Sequence, residues 1–243
     1  MKGLITGIEY IDKTFSGIKD GKLYCIGCST SVDRTNFIAK LTMGLTTREK
    51  SVLLLSLEKN RKAMFRFLLN IFVHYYEDKE KGIEQSELME MLGELPVWIE
   101  DAPNLSYNLL LDVIQRLTYI NRHAIDVILV DNVARMTTDF MVSNINLCLA
   151  ANLYLLKMIA KEYKIPVITF VEISRNPALN TPFAESEYID NMVIFQTIED
   201  DSLRAFRDGA KVISISNDDT IEHTLFDLPT IEVELYSQQN MNY

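Results

Sequence analysis

Short apolar runs alternate with helical patterns along most of this chain, and the alternation restricts the fold more than any other feature. The runs are rich in Leu, Ile and Val, as in strands that are buried on both faces. They are Lys22–Gly27, Ser51–Ser56, Val97–Ile99, Val127–Val130 and Val167–Val171. Apolar residues three and four apart predict helices between them, at Asn36–Leu45, Arg61–Tyr76, Tyr107–Asn121 and Ile145–Tyr163. Repeated strand–helix units predict an α/β fold in which helices flank a mainly parallel sheet.

The C-terminal part of the sequence lacks this alternation. Three further runs typical of strands follow with no helical pattern between them, at Met192–Gln196, Lys211–Ser216 and Thr230–Leu235. The polar triplet Asn217–Asp219 is typical of a turn. We therefore expect antiparallel C-terminal strands that extend the sheet, and a single domain over residues 1–243.

Composition narrows the class of protein. The chain has 243 residues, of which 48% are hydrophobic, enough to bury the core of one large domain. No apolar stretch reaches the roughly 18 residues that a membrane-spanning helix needs, and the N-terminus lacks the apolar segment of a secretory signal. Three cysteines suit a reducing compartment better than a disulfide framework. We expect a cytoplasmic protein with no membrane partner.

The net charge of −10 lowers the expectation of nucleic-acid binding, because such binding depends on Lys and Arg that neutralise phosphates. The clearest basic cluster is Lys59, Arg61, Lys62 and Arg66. At this spacing the cluster is more typical of a solvated helix face than of a DNA contact. The sequence therefore leaves DNA binding undecided.

The segment CSTSVDRT, residues 28 to 35, lies between the first predicted strand and the first predicted helix. This is the place of a phosphate-binding loop, G-x-x-x-x-G-K-[ST], whose backbone amides cradle phosphates. Here Cys28 and Asp33 replace the glycines, Arg34 replaces the lysine, and only Thr35 follows the pattern. A nucleotide site, the remnant of one and a coincidence are all open at this point. The other positions of the candidate loop are Ser29, Thr30, Ser31 and Val32.

Two predicted strands lead into a carboxylate. VILVD ends in Asp131, and SLE places Glu58 just after an apolar run. In phosphate-loop enzymes an aspartate so placed helps to hold Mg²⁺, and a glutamate there can orient a hydrolytic water. Many α/β strands end in Asp, however, and a carboxylate near a helix start is favoured by the helix dipole. A purely structural role is therefore open for both residues.

Cys25 and Cys28 have the spacing of a redox pair. Such pairs usually lie at the start of a helix, whereas Cys25 falls inside a predicted strand. Two buried thiols are therefore the favoured interpretation.

Taken in order, these pieces resemble the RecA-like C-terminal motor domain of DnaB-type replicative helicases, a P-loop NTPase domain. TGIEYIDKTFSGIKDGKLYCIG keeps the spacing of that family's T-G-x-x-x-L-D-x-x-x-x-G-(LIVM)-x-x-G-x-L motif. SLEKN resembles S-L-E-M-S, and LPVWIEDAPNLS resembles P-(LI)-x-I-D-D-x-P-x-(LM)-S. LKMIAKEYKIPVITFVEISR resembles L-K-x-L-A-K-E-L-x-(IV)-P-V-(IV)-x-L-S-Q-L-S-R, and VILVDNVARM and ESEYIDNMVIF also have counterparts. The similarity runs from about residue 5 to at least residue 196.

The resemblance implies a role for each candidate residue. Glu58 lies at the position of the family's catalytic glutamate, and Thr35 and Asp131 lie where Mg²⁺ is held. Glu172 replaces the glutamine of the family's sensor position. ATP and Mg²⁺ are therefore the implied cofactors, with residues 28–35 as the nucleotide-binding loop.

Departures from the family pattern imply that ATP binding is weak or lost. The family's loop reads A-R-P-x-M-G-K-T, whereas Asp33 adds a side chain and a negative charge beside phosphate. Arg34 keeps a positive charge, but arginine and lysine are not interchangeable in a tight cradle. The family's K-x-R pair corresponds to VISIS, residues 212 to 216, which has no basic residue, although Arg207 and Lys211 are near. These features predict a degenerate Walker A loop.

The favoured functional interpretation is a divergent DnaB-like domain associated with DNA replication, with weak or no ATP hydrolysis. Such a domain would act by binding a replicative helicase, by self-association or through nucleic acid. An active ATP-dependent DNA helicase with an unusual loop is one alternative. A RecA-like module that binds a different ligand in the old nucleotide cleft is another. We expect neither the N-terminal domain nor the linker helix of the helicases.

Overall fold

The computed structural model describes residues 3–28, 31–77, 85–120, 124–137, 144–172, 187–197, 209–216 and 221–227. Its strands are β1 (Leu23–Cys28), β2 (Val52–Ser56), β3 (Val97–Glu100), β4 (Val127–Asp131), β5 (Val167–Glu172), β6 (Asn191–Thr197), β7 (Gly209–Ser216) and β8 (Ile221–Asp227). Its α-helices are α1 (Glu9–Phe15), α2 (Ser31–Thr46), α3 (Arg61–Glu77), α4 (Gln85–Glu94), α5 (Tyr107–Gln115) and α6 (Ile145–Tyr163). A π-helical turn at Arg116–Ile120 continues α5, and a 3-10 turn at Val133–Arg135 follows β4.

The eight strands form one sheet in the order β3-β2-β4-β5-β1-β6-β7-β8. Neighbours among the first six strands pair in parallel, whereas β6, β7 and β8 pair antiparallel. The predicted α/β fold, with its mainly parallel sheet and antiparallel C-terminal strands, is confirmed. The register sets Cys28 beside Glu172 and Ser56 beside Asp131, so the carboxyl ends of β1, β2, β4 and β5 meet at one edge.

Helices bury both faces of the parallel strands. Leu53 packs in a cluster that includes residues of α5 and α6, and Leu54 packs in a second cluster with residues of α1 and α2. Every residue of β1, β2 and β4 is buried, which explains why these strands read as continuous apolar runs. None of the helices in the described ranges is long and apolar enough to cross a membrane.

The two neighbouring cysteines lie on opposite faces of β1. Cys25 belongs to the cluster with α5 and α6, and Cys28 belongs to the cluster with α1 and α2. Both thiols are buried, and burial raises the pKa of Cys25 far above its usual value. The prediction of two buried thiols rather than a redox pair is confirmed.

The first helix of the parallel part begins earlier than predicted. We expected it to start at Asn36 after an extended loop, but α2 begins at Ser31, three residues after β1 ends. No Gly or Pro interrupts residues 29 to 40, so nothing in the segment stops a helix from extending back toward the strand. Asp33 falls in the first turn, where the helix dipole favours a carboxylate.

Other boundaries also differ from the predictions. Regular helix ends at Gln115 rather than Asn121, and within the π-helical turn the Thr118 hydroxyl donates a hydrogen bond to the Ile114 carbonyl at 2.7 Å. The sequence analysis did not predict α1, α4 or β8, which are short, and β8 carries polar residues in place of an apolar run. The predicted turn at Asn217–Asp219 and strand at Thr230–Leu235 lie outside the described residues.

The N-terminal T-G motif anchors the chain ahead of α1. The carboxylate of Asp12 accepts hydrogen bonds from the backbone and hydroxyl of Thr6, both at 2.7 Å, and from the Gly7 amide at 3.0 Å. This turn lies directly on α2, where a Cβ added to Gly44 would come within 2.1 Å of the Thr6 carbonyl oxygen. The glycine is therefore required by close approach of two backbone segments.

Replacing Gly44 with alanine is expected to destabilise the protein by about 1–3 kcal/mol, because the new methyl group must displace backbone. In an open helix the same change would stabilise by about 0.5–1 kcal/mol. Gly93 provides the matched control, since nothing lies within 4 Å of a Cβ added there. Urea unfolding of Gly44→Ala and Gly93→Ala measures the difference, and equal stabilities would contradict the close approach.

Asp190 joins β6 to β1 and α6. Its carboxylate accepts hydrogen bonds from the Lys22 ammonium at 2.9 Å and the Leu23 amide at 2.8 Å, and it also pairs with the buried ammonium of Lys157. Burial opposes its ionisation, but the bonds from Lys157, Leu23 and Lys22 together hold the pKa of Asp190 below its usual value.

We expect Asp190 to stabilise the fold only when it is ionised. A lowered pKa in the folded state gives stability that is fully present above the unfolded value, about pH 3.9, and that is lost as the pH falls below it. Asp190→Asn is expected to cost about 1–2 kcal/mol at pH 6 and less at pH 3. Urea midpoints of both proteins across this range test the prediction, which a pH-independent difference would contradict.

Candidate functional site

Four candidate residues are brought together at the carboxyl edge of the parallel sheet. Arg34 lies in the first turn of α2, directly after β1. Glu58 follows the end of β2 by two residues, and Asp131 and Glu172 are the last residues of β4 and β5. Because these strands are parallel neighbours, residues distant in sequence converge on one place.

The guanidinium of Arg34 is shared by three carboxylates. Its Nε donates to Asp131 Oδ1 at 3.0 Å and its Nη1 donates to Glu172 Oε2 at 3.2 Å. Its Nη2 donates to Glu58 Oε2. The Arg34 and Asp131 side chains are both 0% exposed, while Glu58 is 16% and Glu172 54% exposed. Arg34 is thus the buried centre of an ion cluster whose outer side reaches solvent at Glu172.

Two residues that the sequence analysis did not single out complete the surroundings of Glu58. Its Oε1 accepts hydrogen bonds from Asn132 Nδ2 at 2.8 Å and from Arg135 Nε at 3.2 Å. The Asn132 side-chain oxygen in turn accepts from the Ala134 amide at 3.1 Å. Their sequence signal is position alone, since both follow Asp131 within VILVDNVAR.

Asn132 has a strained backbone, with φ of 80° and ψ of 99°. Such a conformation costs about 1–3 kcal/mol and persists only where the surroundings enforce it. Here it turns the chain sharply after β4, so that the Asn132 amide faces Glu58 and the 3-10 turn brings Arg135 alongside. The local strain therefore serves to hold Glu58 in place.

The carboxylates keep Arg34 charged. Burial opposes the charge, but the neighbouring Asp131 and Glu58 raise the pKa of Arg34 above its usual value. Burial would also raise the pKa of Glu58, but the hydrogen bond from Asn132 and the charges of Arg34 and Arg135 hold it below its ordinary value. Glu58 is therefore an ionised acceptor with both oxygens engaged.

Burial raises the pKa of Asp131, and Arg34 offsets only part of this effect. This direction is opposite to the one expected from the strengthened charge on Arg34. We treat Asp131 as ionised near neutral pH, because a guanidinium does not lose its proton in proteins and lies 3.0 Å from Asp131 Oδ1. With all groups ionised, three carboxylates and two guanidinium groups leave one net negative charge.

The rest of the predicted loop is only partly described. Cys28 is the last residue of β1 and is buried, and Thr35 is also buried. Residues 31 to 35 are helical, so five of the eight positions belong to α2; for Ser31, Val32 and Asp33 only the backbone is described. Ser29 and Thr30 lie outside the described residues, as does Arg207, and Lys211 lies in β7, opposite Gln196 of β6.

This arrangement does not suit Mg²⁺. The ion takes near-octahedral oxygen ligands, but Glu58 has both oxygens in hydrogen bonds and Asp131 gives one of its two to Arg34. Asp131 Oδ2 is buried and has no hydrogen-bond partner among the described residues, which leaves one acceptor at the centre. Within the described part of the chain, no three His, Cys, Asp or Glu side chains are grouped to hold a metal.

A shallow cleft of about 240 Å³ opens above the cluster. Glu58, Asn132, Ala134, Arg135 and Glu172 line it. Its walls carry charges of both signs, and the Arg135 side chain is 65% exposed. The cleft marks the solvent side of the Arg34 cluster.

The basic cluster on α3 is partly neutralised. The Lys59 ammonium lies 5.7 Å from the centroid of the Phe67 ring, and Arg61 Nη2 lies 3.7 Å from Asp101 Oδ1. Lys62 and Arg66 are exposed. These positions agree with the predicted solvated helix face.

The parallel strand order, the β1–α2 junction and the carboxylates at the strand ends define a RecA-like domain. Residues 3–182 match the DnaB-like helicase C terminal domain. The chain belongs to this family of replicative helicase domains.

Curated relatives are distant and longer. A probable replicative DNA helicase of Trieres chinensis is 24% identical over 186 residues, which cover 72% of this chain and 41% of that protein. The replicative DNA helicase DnaB of Buchnera aphidicola subsp. Baizongia pistaciae (strain Bp) is 22% identical over 184 residues, 72% of this chain and 40% of the relative. The chain thus matches about two fifths of the length of these relatives.

Solved structures share the fold. One of them, an isolated ATPase domain, superposes with a TM-score of 0.74 and 17% identity, covering 93% of this chain and 88% of that chain. A DnaB-like replicative helicase, described together with its interactions with primase, gives a TM-score of 0.73 and 17% identity over 94% of this chain and 61% of that chain. At this identity the likeness concerns the fold alone.

Proposed function

We propose that this chain is a replication-associated DnaB-like domain that hydrolyses ATP weakly or not at all and acts by binding other molecules. The observation that carries the proposal is the placement of the Arg34 guanidinium among Glu58, Asp131 and Glu172. Two of these groups, Glu58 and Asp131, lie at the positions that an active relative would use on water and Mg²⁺. In this chain an internal cation already engages them.

The energy of the cluster supports the proposal. Mg²⁺–ATP would have to displace Arg34 from its carboxylates, and breaking a buried pair costs about 3–5 kcal/mol. Subtracted from a binding free energy, that cost lowers affinity by roughly 10²–10⁴-fold. The early start of α2 also leaves little chain to wrap around phosphates, since residues 31 to 35 are already helical.

Thermal unfolding with and without Mg²⁺–ATP tests the proposal. We expect no measurable rise in melting temperature, and no ATP turnover above the rate of a Glu58→Gln variant. A ligand at 100 times its Kd stabilises by about 2.7 kcal/mol, which for this length raises the melting temperature by roughly 5–10 °C. A rise of that size would contradict the proposal, and turnover lost in Glu58→Gln would establish an active ATPase.

The proposed partners are a replicative helicase or further copies of this chain. RecA-like domains provide broad faces for assembly, and the curated relatives are replicative helicases. The net charge of −10 makes DNA the weaker candidate. Light scattering of the purified chain tests self-association, and co-purification with a replicative helicase tests the other partner. A monomer that binds neither helicase nor DNA would contradict a binding role.

An active ATP-dependent helicase domain is the second candidate. It is favoured by the convergence of Glu58 and Asp131 on one edge and by the Asp131 oxygen that has no partner among the described residues. A third, a domain that takes a different ligand in the same cleft, is favoured by the half-exposed Glu172 beside Arg135. Density or mass for a co-purified small molecule would support this third candidate.

A further inference from the structure

A second cavity lies away from the Arg34 cluster, where α2 ends and β3 begins. It has a volume of about 490 Å³, within the range of about 300–1,000 Å³ that small-molecule sites occupy. Its apolar wall consists of Phe72 on α3, Met91 on α4, and Leu95 and Pro96 just before β3. The cavity shares no residue with the Arg34 cluster, so what it binds is independent of the proposed function.

The polar side of this cavity is negative. Glu49 and Glu94 both line it, both are exposed, and neither has an ion-pair partner among the described residues. α2 ends at Thr46 and α4 at Glu94, and neither helix carries a basic residue in its last turn. The free carbonyls of a helix C-terminus act as about half a negative charge, which adds to the two carboxylates.

Neighbouring cations are directed elsewhere. Arg48 Nη1 donates to the Gly44 carbonyl at 2.7 Å, and Lys50 Nζ lies 3.7 Å from Asp126 Oδ1. Among the described residues, no Lys or Arg lines the cavity. The negative charge is therefore not neutralised from within this part of the chain.

We propose that this cavity binds a small organic cation, an ammonium group carried on an apolar body. The carboxylates of Glu49 and Glu94 and the two helix ends favour the positive group. Phe72, Met91 and Leu95 bury the apolar body, which gains from leaving water. An anion of the same shape is repelled, and a neutral molecule of the same shape keeps only the apolar part of the interaction.

Titration with 2-phenylethylamine, followed by calorimetry and by the methyl resonance of Met91, tests the proposal. We expect millimolar or tighter binding, a shift of the Met91 resonance (assigned with Met91→Leu), and much weaker binding of 2-phenylethanol and 3-phenylpropionate. Equal binding of the neutral alcohol would overturn the preference for a cation. Absence of binding in the millimolar range, or an unmoved Met91 resonance, would overturn the site.

Matched variants locate the charge. Glu49→Gln/Glu94→Gln is expected to weaken amine binding about tenfold, as for two partly exposed ion pairs, and to leave alcohol binding unchanged. Glu90→Gln, one turn earlier on the exposed side of α4 and outside the cavity, is expected to change neither. Equal weakening in both variants would overturn the assignment. The Met91 readout on the unaltered chain decides the matter independently of how the variants fold.

Discussion

Replacing Arg34 with alanine is expected to lower the free energy of unfolding by about 3–5 kcal/mol, the usual cost of removing one partner of a buried ion pair. The Arg34 side chain is fully buried and donates to Asp131, Glu172 and Glu58. Alanine leaves the buried carboxylate of Asp131 without a counter-charge. Urea unfolding followed by circular dichroism measures the loss, and the melting temperature is expected to fall by roughly 6–20 °C.

Arg135 supplies the matched control, since it is a second arginine that contacts Glu58 but is largely exposed. Arg135→Ala is expected to cost at most about 1 kcal/mol. The double variant Arg34→Ala/Asp131→Asn is expected to be more stable than the sum of its single changes predicts, because it removes the orphaned charge. Equal losses in Arg34→Ala and Arg135→Ala would show that the cluster is not the buried centre described here.

Nucleotide binding is expected to return only when the internal cation is removed. In Asp33→Gly/Arg34→Lys/Glu172→Gln, the lysine keeps one point charge but loses the planar fork that engages three carboxylates. Glu58 and Asp131 are then released for Mg²⁺. We expect Mg²⁺–ATP in large excess to stabilise this variant by about 2.7 kcal/mol, a rise of roughly 5–10 °C in melting temperature.

The informative comparison is Asp33→Gly alone. From the sequence, Asp33 was the residue expected to block phosphate, because it replaces a glycine of the loop. From the structure, Arg34 is the obstacle, so the single change is expected to give no Mg²⁺–ATP shift. A full shift in Asp33→Gly would show that the negative charge, and not the guanidinium, excludes nucleotide.

The parallel sheet could be predicted from the sequence because its strands are buried on both faces and read as unbroken apolar runs. Helix α6 could be predicted to its bounds, Ile145–Tyr163, since its apolar stripe extends over many turns. The short elements α1 and α4 carry too few turns for a clear period. β8, with polar residues on a C-terminal strand, has no comparable apolar run.

The positions of Glu58, Asp131 and Glu172 could also be predicted, because each ends or follows a strand that leads to the same edge. Their shared partner could not. A loop pattern shows that arginine stands in place of lysine, but it does not show that the side chain turns inward to three carboxylates. That contact depends on the register of β1, β2, β4 and β5, which no local pattern in the sequence specifies.

The sequence separations within the Arg34 cluster have a consequence for folding. Arg34 is 24, 97 and 138 residues from Glu58, Asp131 and Glu172, so all three contacts are non-local and each closes a long loop of chain. They can form only after four parallel strands have found their neighbours. We expect the cluster to act as a late clasp that slows unfolding and leaves the folding rate nearly unchanged. Stopped-flow kinetics of Arg34→Lys would show this as a faster unfolding limb, and a slowed folding limb would instead place the clasp in the folding nucleus.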